Sequence, residues 1–165
     1  MKNIFTVCTF FISTFILAQN KSDSLKQKRS EEKSPAIQLG YNGAYEIGMG
    51  KFTSIAAGPH QAWSLIYFGS EFKKYNNNFL WAPKIGIWAS GGCCGGSAGL
   101  SLIYYINSKE TSLKFRPEIG VGFFILRFYY GYNITIINKD FVPVSRNVFG
   151  ANLVIPTNKS IYKHL

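Results

Sequence analysis

The sequence predicts an all-β fold, a small antiparallel up-and-down transmembrane β-barrel of about eight strands. First, apolar residues alternate with polar or glycine residues over most of the chain after residue 36, the period of a β-strand. Second, hydrophobic residues make up 47% of the chain, yet beyond the N-terminal segment no apolar run reaches the roughly 20 residues that a membrane-spanning helix needs. Third, the chain has 16 glycines, and seven of them fall on the polar side of the pattern: Gly40, Gly48, Gly86, Gly120, Gly122, Gly131 and Gly150.

The N-terminal segment, residues 1–18, has the pattern of a secretory signal peptide. Lys2 precedes an apolar core, and Ala18 precedes polar residues as a cleavage site would. A permanent anchor helix is the alternative, but the apolar part is short for a bilayer. Residues 19–35 are polar and mixed in charge, which predicts a flexible lead-in. The barrel is expected at residues 36–165.

The alternating pattern predicts seven clear strands, of which the hairpin from Leu113 to Ile137 is the most regular, with a reversal near Phe124 and Ile125. The strands are expected at residues 36–49, 60–72, 79–90, 97–107, 113–123, 126–136 and 146–155. Residues 52–59 are predicted to be a loop. Bacterial barrels of one chain have even strand numbers. Either residues 157–165 supply an eighth strand, or one long segment is really two strands.

Residue size predicts which face of the strands is inside. Glycine would weaken strands whose polar face lay in water, whereas small residues interleaved with charges suit a narrow, filled lumen. Acids and bases on neighbouring strands would neutralise one another there and plug it. The predicted lumen network is Glu46, Glu71, Lys84, Lys114, Arg116, Glu118, Arg127 and Arg146.

The opposite face carries aromatic residues that suit the two lipid interfaces of a membrane barrel. They are Tyr41, Tyr45, Trp81, Tyr104, Tyr130 and Tyr132. The alternative is that these aromatics belong to the core of a soluble β-domain.

The formal net charge of +10 raises the question of nucleic acid as a partner. The basic residues are scattered, however, and no nucleic-acid-binding motif is present. No nucleic acid partner is therefore expected. Attraction to anionic lipid headgroups is favoured instead.

These features together resemble small bacterial outer-membrane β-barrels of the OmpA/OmpX type. More narrowly, RPEIGVG at residues 116–122 and YGYN at residues 130–133 are similar to segments of uncharacterised outer-membrane barrel proteins. The resemblance implies location in the bacterial outer membrane after export, with outer-membrane lipid and the barrel-insertion machinery as partners. It implies no catalytic residues and no cofactor, and it leaves the oligomeric state open. The chain end, SIYKHL, lacks the terminal aromatic residue that such barrels usually carry.

Two further features could carry chemistry. Cys93 and Cys94 lie in a glycine-rich reversal, and after export they could form a vicinal disulfide. Two free thiols or an intermolecular bond are the alternatives. A metal site is not predicted, because besides carboxylates only His60 and His164 would accompany the cysteines. His60 with Ser54, Ser64 and Glu46 could formally act as a lipid hydrolase, but no nucleophile motif surrounds either serine.

The sequence thus predicts a non-enzymatic integral outer-membrane barrel with a structural, surface-interaction or minor transport role. A barrel-mounted lipid-modifying enzyme and a soluble periplasmic barrel that binds an apolar ligand are the alternatives.

Overall fold

The computed structural model describes residues 29–57, 60–75, 78–91, 95–107, 110–123, 125–138 and 144–158, and every regular element in these ranges is a β-strand. The strands are β1 (Arg29–Tyr41), β2 (Tyr45–Ala57), β3 (His60–Tyr75), β4 (Asn78–Gly91), β5 (Gly95–Ile106), β6 (Thr111–Phe123), β7 (Leu126–Tyr132), β8 (Ile134–Ile137) and β9 (Asn147–Pro156). The described part of the chain has no helix long and apolar enough to cross a membrane.

The strands form one closed antiparallel sheet. Strands β1 to β7 pair in chain order, and β9 pairs with β7 on one side and with β1 on the other. Strand β8 continues β7 after an interruption at Asn133, and both pair with β6. The wall therefore has eight strand positions. The predicted fold class, an up-and-down barrel of about eight strands, is confirmed.

The eighth strand comes from the first predicted strand, residues 36–49. The prediction of one strand there is wrong. A turn at residues 42–44 divides this segment into β1 and β2. The backbone N–H of Ala44 donates to Asn42 Oδ1 at 3.2 Å, and Gly43 has a φ of 84°, which glycine adopts without strain. The predicted loop at residues 52–59 is also wrong, because residues 52–57 continue β2.

The barrel also begins earlier than expected. Residues 29–35, predicted to belong to a flexible lead-in, pair with residues 51–57 of β2. Their side chains keep the alternation of a strand: Ser34 is buried, whereas Lys33 and Pro35 are exposed. Thr157 and Asn158 follow the last strand without joining one. The expected signal peptide at residues 1–18, residues 19–28 and residues 159–165 lie outside the described residues.

The two ends of the barrel differ. The terminal end contains the start of β1, the end of β9, and the connections after β2, β4 and β6. The loop end contains the other four connections, of which the longest joins Ile137 to Asn147. An even number of wall strands places both ends of the described chain on the same side.

The faces of the wall are oriented as predicted. On β6, Arg116 and Glu118 are 1% and 3% exposed, whereas Ile119, the next residue along the strand, is 65% exposed. The same inversion holds on β7, where Arg127 is buried and Phe128 is exposed. The barrel is charged within and apolar outside.

Apolar side chains share the interior with the charges. Trp63, Leu65 and Tyr67 of β3 point inward and pack with Phe52 and Trp88 in one cluster. A second cluster near the loop end contains Leu80, Ala82, Ile103 and Tyr105, with Val144 packed against it. The interior is therefore filled rather than hollow.

The buried charge network, a candidate functional site

The network begins with two carboxylates that the register places side by side. Glu46 of β2 and Glu71 of β3 are direct cross-strand partners, and both are buried. Lys84 of β4 lies between them, with its Nζ 2.8 Å from Glu46 Oε2 and 3.1 Å from Glu71 Oε1. Like charges directly opposite one another are destabilising. The positive charge of Lys84 compensates the repulsion between the two carboxylates and links all three side chains.

Glu71 is the centre of the network. Arg116 donates from Nη1 to Oε1 at 2.7 Å and from Nη2 to Oε2 at 3.3 Å. Tyr105 donates its hydroxyl to Oε2 at 2.9 Å, and Asn42 donates from Nδ2 to Oε1 at 2.9 Å. Together with Lys84, these donors satisfy both carboxylate oxygens.

Arg116 connects this centre to the longest loop. Its Nε donates to Asn133 Oδ1 at 2.8 Å, and its Nη2 donates to the Tyr105 hydroxyl at 2.6 Å. Asn133 interrupts the strand between β7 and β8, and its Nδ2 donates to the carbonyl of Ser145 at 2.7 Å. The guanidinium therefore anchors residues that precede β9.

A second ion pair joins β6 and β7. Arg127 Nη1 donates to Glu118 Oε2 at 2.6 Å, and Arg127 Nε donates to Ser97 Oγ at 3.1 Å. The guanidinium carbon of Arg127 lies 4.8 Å from the centre of the Tyr129 ring, within the range of a cation–π contact.

Neutral side chains extend both charged groups, the cluster of Glu46, Lys84, Glu71 and Arg116 and the Glu118–Arg127 pair. Gln38 donates from Nε2 to Glu46 Oε1 and accepts from Trp88 Nε1 at 3.0 Å. Ser101 donates to Glu118 Oε1 at 3.1 Å, and its hydroxyl lies 3.3 Å from that of Tyr67. The sequence prediction missed Gln38, Tyr105 and Asn133, although their inward positions follow from the alternation.

The charges of the network balance. Three carboxylates, Glu46, Glu71 and Glu118, are each within ion-pair distance of a cation, and the cations are Lys84, Arg116 and Arg127. Lys114, also predicted in the lumen, is buried nearer the loop end, where its Nζ donates to the carbonyl of Val144 at 3.5 Å. The prediction that Arg146 lies in the lumen is wrong. Arg146 precedes β9 and is exposed, whereas the alternating pattern predicted a strand that begins one residue earlier.

Glycines on the inner face make room for these large side chains. A Cβ at position 131 would lie 2.9 Å from Arg116 Cδ, and one at position 99 would lie 2.9 Å from Arg127 Nη2. A Cβ at position 86 would lie 2.8 Å from the Tyr67 ring. The glycine-bearing face is thus shaped to hold the network and the aromatic ring.

The six predicted interface aromatics all lie on the outer face. Tyr41, Tyr45, Trp81, Tyr104 and Tyr132 are exposed and Tyr130 is half-buried. Tyr41 and Tyr45 flank the first turn, with ring centres 5.4 Å apart. The Tyr130 hydroxyl donates to Asn147 Oδ1 at 2.7 Å.

The predicted grouping of His60 with Glu46 does not assemble. His60 pairs with Ala57 at the terminal end of β2, whereas Glu46 lies near the loop end of the same strand, roughly 35 Å away at the rise of an extended chain. A hydrolase site that includes both residues is therefore excluded. Cys93 and Cys94 lie outside the described residues. No group of three His, Cys, Asp or Glu side chains in the described ranges could hold a metal ion.

A recess of about 130 Å³ opens at the loop end above Glu71 and Arg116. Its wall contains the turn at residues 42–44, Lys73, Val144 and Ser145 before β9, and residues 147–149 of β9. The interior below it is occupied by the network, so the recess does not continue through the barrel as an open channel. No protein-family model, no curated protein and no solved structure matches this chain.

Proposed function

We propose that this chain is an integral outer-membrane β-barrel of a bacterium, with a structural or surface-interaction role and a lumen closed by its charge network. The observation that carries the proposal is the inverted distribution of residues, with buried charges and an exposed apolar wall. In water such a wall would be unfavourable by roughly 25 cal/mol for each Å² of apolar surface. In lipid it is favourable.

The apolar wall surrounds the barrel. Its members are large aliphatic and aromatic side chains that are at least 38% exposed, and they include Ile37, Ile47, Met49, Ile66, Phe68, Ile85, Ile87, Leu100, Leu102, Ile119, Val121, Phe128, Phe149 and Ile155. Monomeric soluble proteins rarely expose continuous apolar patches of more than a few hundred Å². The closed ring also pairs the backbone groups of the wall, as a hydrocarbon environment requires.

The direction of the barrel follows from its connections. Outer-membrane barrels have short periplasmic turns and longer extracellular loops. The terminal end therefore faces the periplasm and the loop end faces outward. The expected signal peptide at residues 1–18 supports export of the chain to that membrane.

The mechanism is passive. Lipid contacts the apolar wall, the buried ion pairs hold neighbouring strands in register, and the loop end presents its residues to the exterior. The filled interior favours this role over minor transport. The charged lumen also disfavours a soluble periplasmic barrel for an apolar ligand, because such a ligand would leave the buried ions without compensation.

Membrane fractionation tests the location. We expect the chain in the detergent-extracted outer-membrane fraction, with different gel migration before and after heating. Recovery in the soluble periplasmic fraction would contradict the proposal.

Planar-bilayer recording tests the closed lumen. We expect no steady conductance from the purified barrel, and stable channels would contradict closure and favour transport. A change in membrane lipid composition that depends on the protein, and that His60→Ala abolishes, would favour the lipid-modifying enzyme instead.

A further inference from the structure

We infer that the recess at the loop end binds a small dissolved anion with a phosphate or carboxylate group, and that Lys73 is its main charged contact. This site goes beyond the proposed function, since it needs only the folded barrel and not a particular membrane.

Lys73 is a cation outside the interior network, whose own charges balance. It is half-buried, follows Glu71 on the inner face of β3, and lines the recess. Its ammonium group forms no ion pair with a carboxylate of the described residues. A cation in a confined, partly desolvated recess attracts an anion more strongly than the same cation in open water.

The carboxylate in the floor of the recess does not cancel this charge. Glu71 already accepts hydrogen bonds from Arg116, Lys84, Tyr105 and Asn42, and the network to which it belongs is neutral. Among the residues that line the recess, the charged side chains are Glu71, Arg116 and Lys73, and the first two pair with each other. The lining of the recess therefore carries the net positive charge of Lys73.

The lining indicates the size and type of ligand. A volume of about 130 Å³ accommodates a small anion. Asn42 and Ser145 add polar groups beside Lys73, whereas Leu80 and Val148 provide an apolar side. Because Lys73 faces the lumen and not the outer wall, a dissolved anion reaches it more readily than a lipid headgroup that stays outside the barrel.

The test titrates the folded chain in a zwitterionic detergent with sodium phosphate or sodium acetate, using sodium chloride at equal ionic strength as the reference. Amide NMR signals of residues 42–44 and Lys73 report binding. We expect saturable shifts for phosphate or acetate, and about tenfold weaker binding in Lys73→Gln, because a charge-assisted contact is lost. Lys73→Arg should retain binding.

Lys74→Gln is the matched control, because Lys74 is the next residue, carries the same charge and is exposed on the other face. It should bind like the parent chain. Equal losses in both variants, or no saturable shifts in the parent chain, would overturn the site. If Lys73→Gln does not fold, its heat-dependent gel migration will reveal this. Lys73→Met, which keeps the aliphatic stem and removes the charge, then replaces it with the same expected loss, and parent-like binding in Lys73→Met would overturn the site.

A second arm separates the two sources of an anionic group. The barrel is placed in nanodiscs of phosphatidylcholine, with or without phosphatidylglycerol, and the same amide signals are followed without added anion. We expect no shifts on addition of the anionic lipid. Shifts that Lys73→Gln abolishes would overturn the dissolved-anion assignment in favour of a lipid headgroup.

Discussion

Glu71 shows how a single residue can organise the interior of this barrel. Its carboxylate accepts from a lysine on the adjacent strand, from an arginine and a tyrosine across the lumen, and from an asparagine in the first turn. A buried ion pair is weak evidence for added stability, but removal of one partner leaves the other charge buried without compensation. The loss should therefore be large.

Glu71→Gln should lower the free energy of unfolding by about 3–5 kcal/mol, because Arg116 and Lys84 would lose their shared counter-charge. Urea titration of the barrel in lipid vesicles, followed by tryptophan fluorescence, measures this. Glu110→Gln is the control, since Glu110 is exposed, and it should leave the unfolding midpoint unchanged. Equal midpoints for the two variants would mean that the network contributes nothing to stability.

Gly86 leaves the space that a neighbouring side chain needs. A Cβ there would lie 2.8 Å from two ring carbons and the hydroxyl oxygen of Tyr67, so Gly86→Ala should destabilise the barrel by about 1–3 kcal/mol through overpacking. Gly96→Ala is the matched control on the next strand, because nothing lies within 4 Å of its Cβ position. A control that is as destabilised as Gly86→Ala would refute the packing explanation.

At the scale of elements, the turn at residues 42–44 decides the strand count. Asn42 and Gly43 stand between two runs of alternating residues, and an Asn-Gly pair in that position is a strong hairpin signal. The alternation of apolar and polar residues in the sequence continues unbroken through the turn, since Tyr41 and Tyr45 both face outward. The pattern of faces alone therefore conceals the reversal.

Gly43→Ala should destabilise the hairpin of β1 and β2 by about 1 kcal/mol, because the φ of 84° is costly for a residue with a Cβ. Gly91→Ala at the end of β4 is the comparison, since its Cβ position is also open but its backbone does not need a positive φ. Urea midpoints in lipid vesicles measure both. If Gly91→Ala costs as much, the turn conformation is not the cause.

At the scale of the whole molecule, closure and inversion of the faces depend on each other. A closed wall of eight strand positions has an interior narrow enough for side chains to fill, and the neutral network fills it without leaving a net charge among its three carboxylates and three cations. The outer face is then free to be apolar around the whole ring. This arrangement is stable only where something apolar contacts the outside.

Ile119→Arg tests that contact. Ile119 lies on the outer face of β6 and is 65% exposed, so in a bilayer an arginine there should cost roughly 2–4 kcal/mol if the position is near the midplane. Thr111→Arg, on the exposed first residue of the same strand, should cost much less, since the penalty falls toward the interface. Folding yield into phosphatidylcholine vesicles measures the difference, and equal yields would contradict a lipid-facing wall.

The sequence by itself determined the fold class, the inner and outer faces, and seven of the eight predicted lumen charges. These are local properties, because alternation with a period of two assigns each side chain to one face of its strand. The assignment does not depend on where the strand begins or ends. Only the tertiary structure decided the division of the first segment, the pairing of β1 with β9, the exposure of Arg146 and the choice of ion-pair partners. Arg116 reaches Glu71 across 45 positions of sequence, and only the register and curvature of a closed sheet bring such residues together.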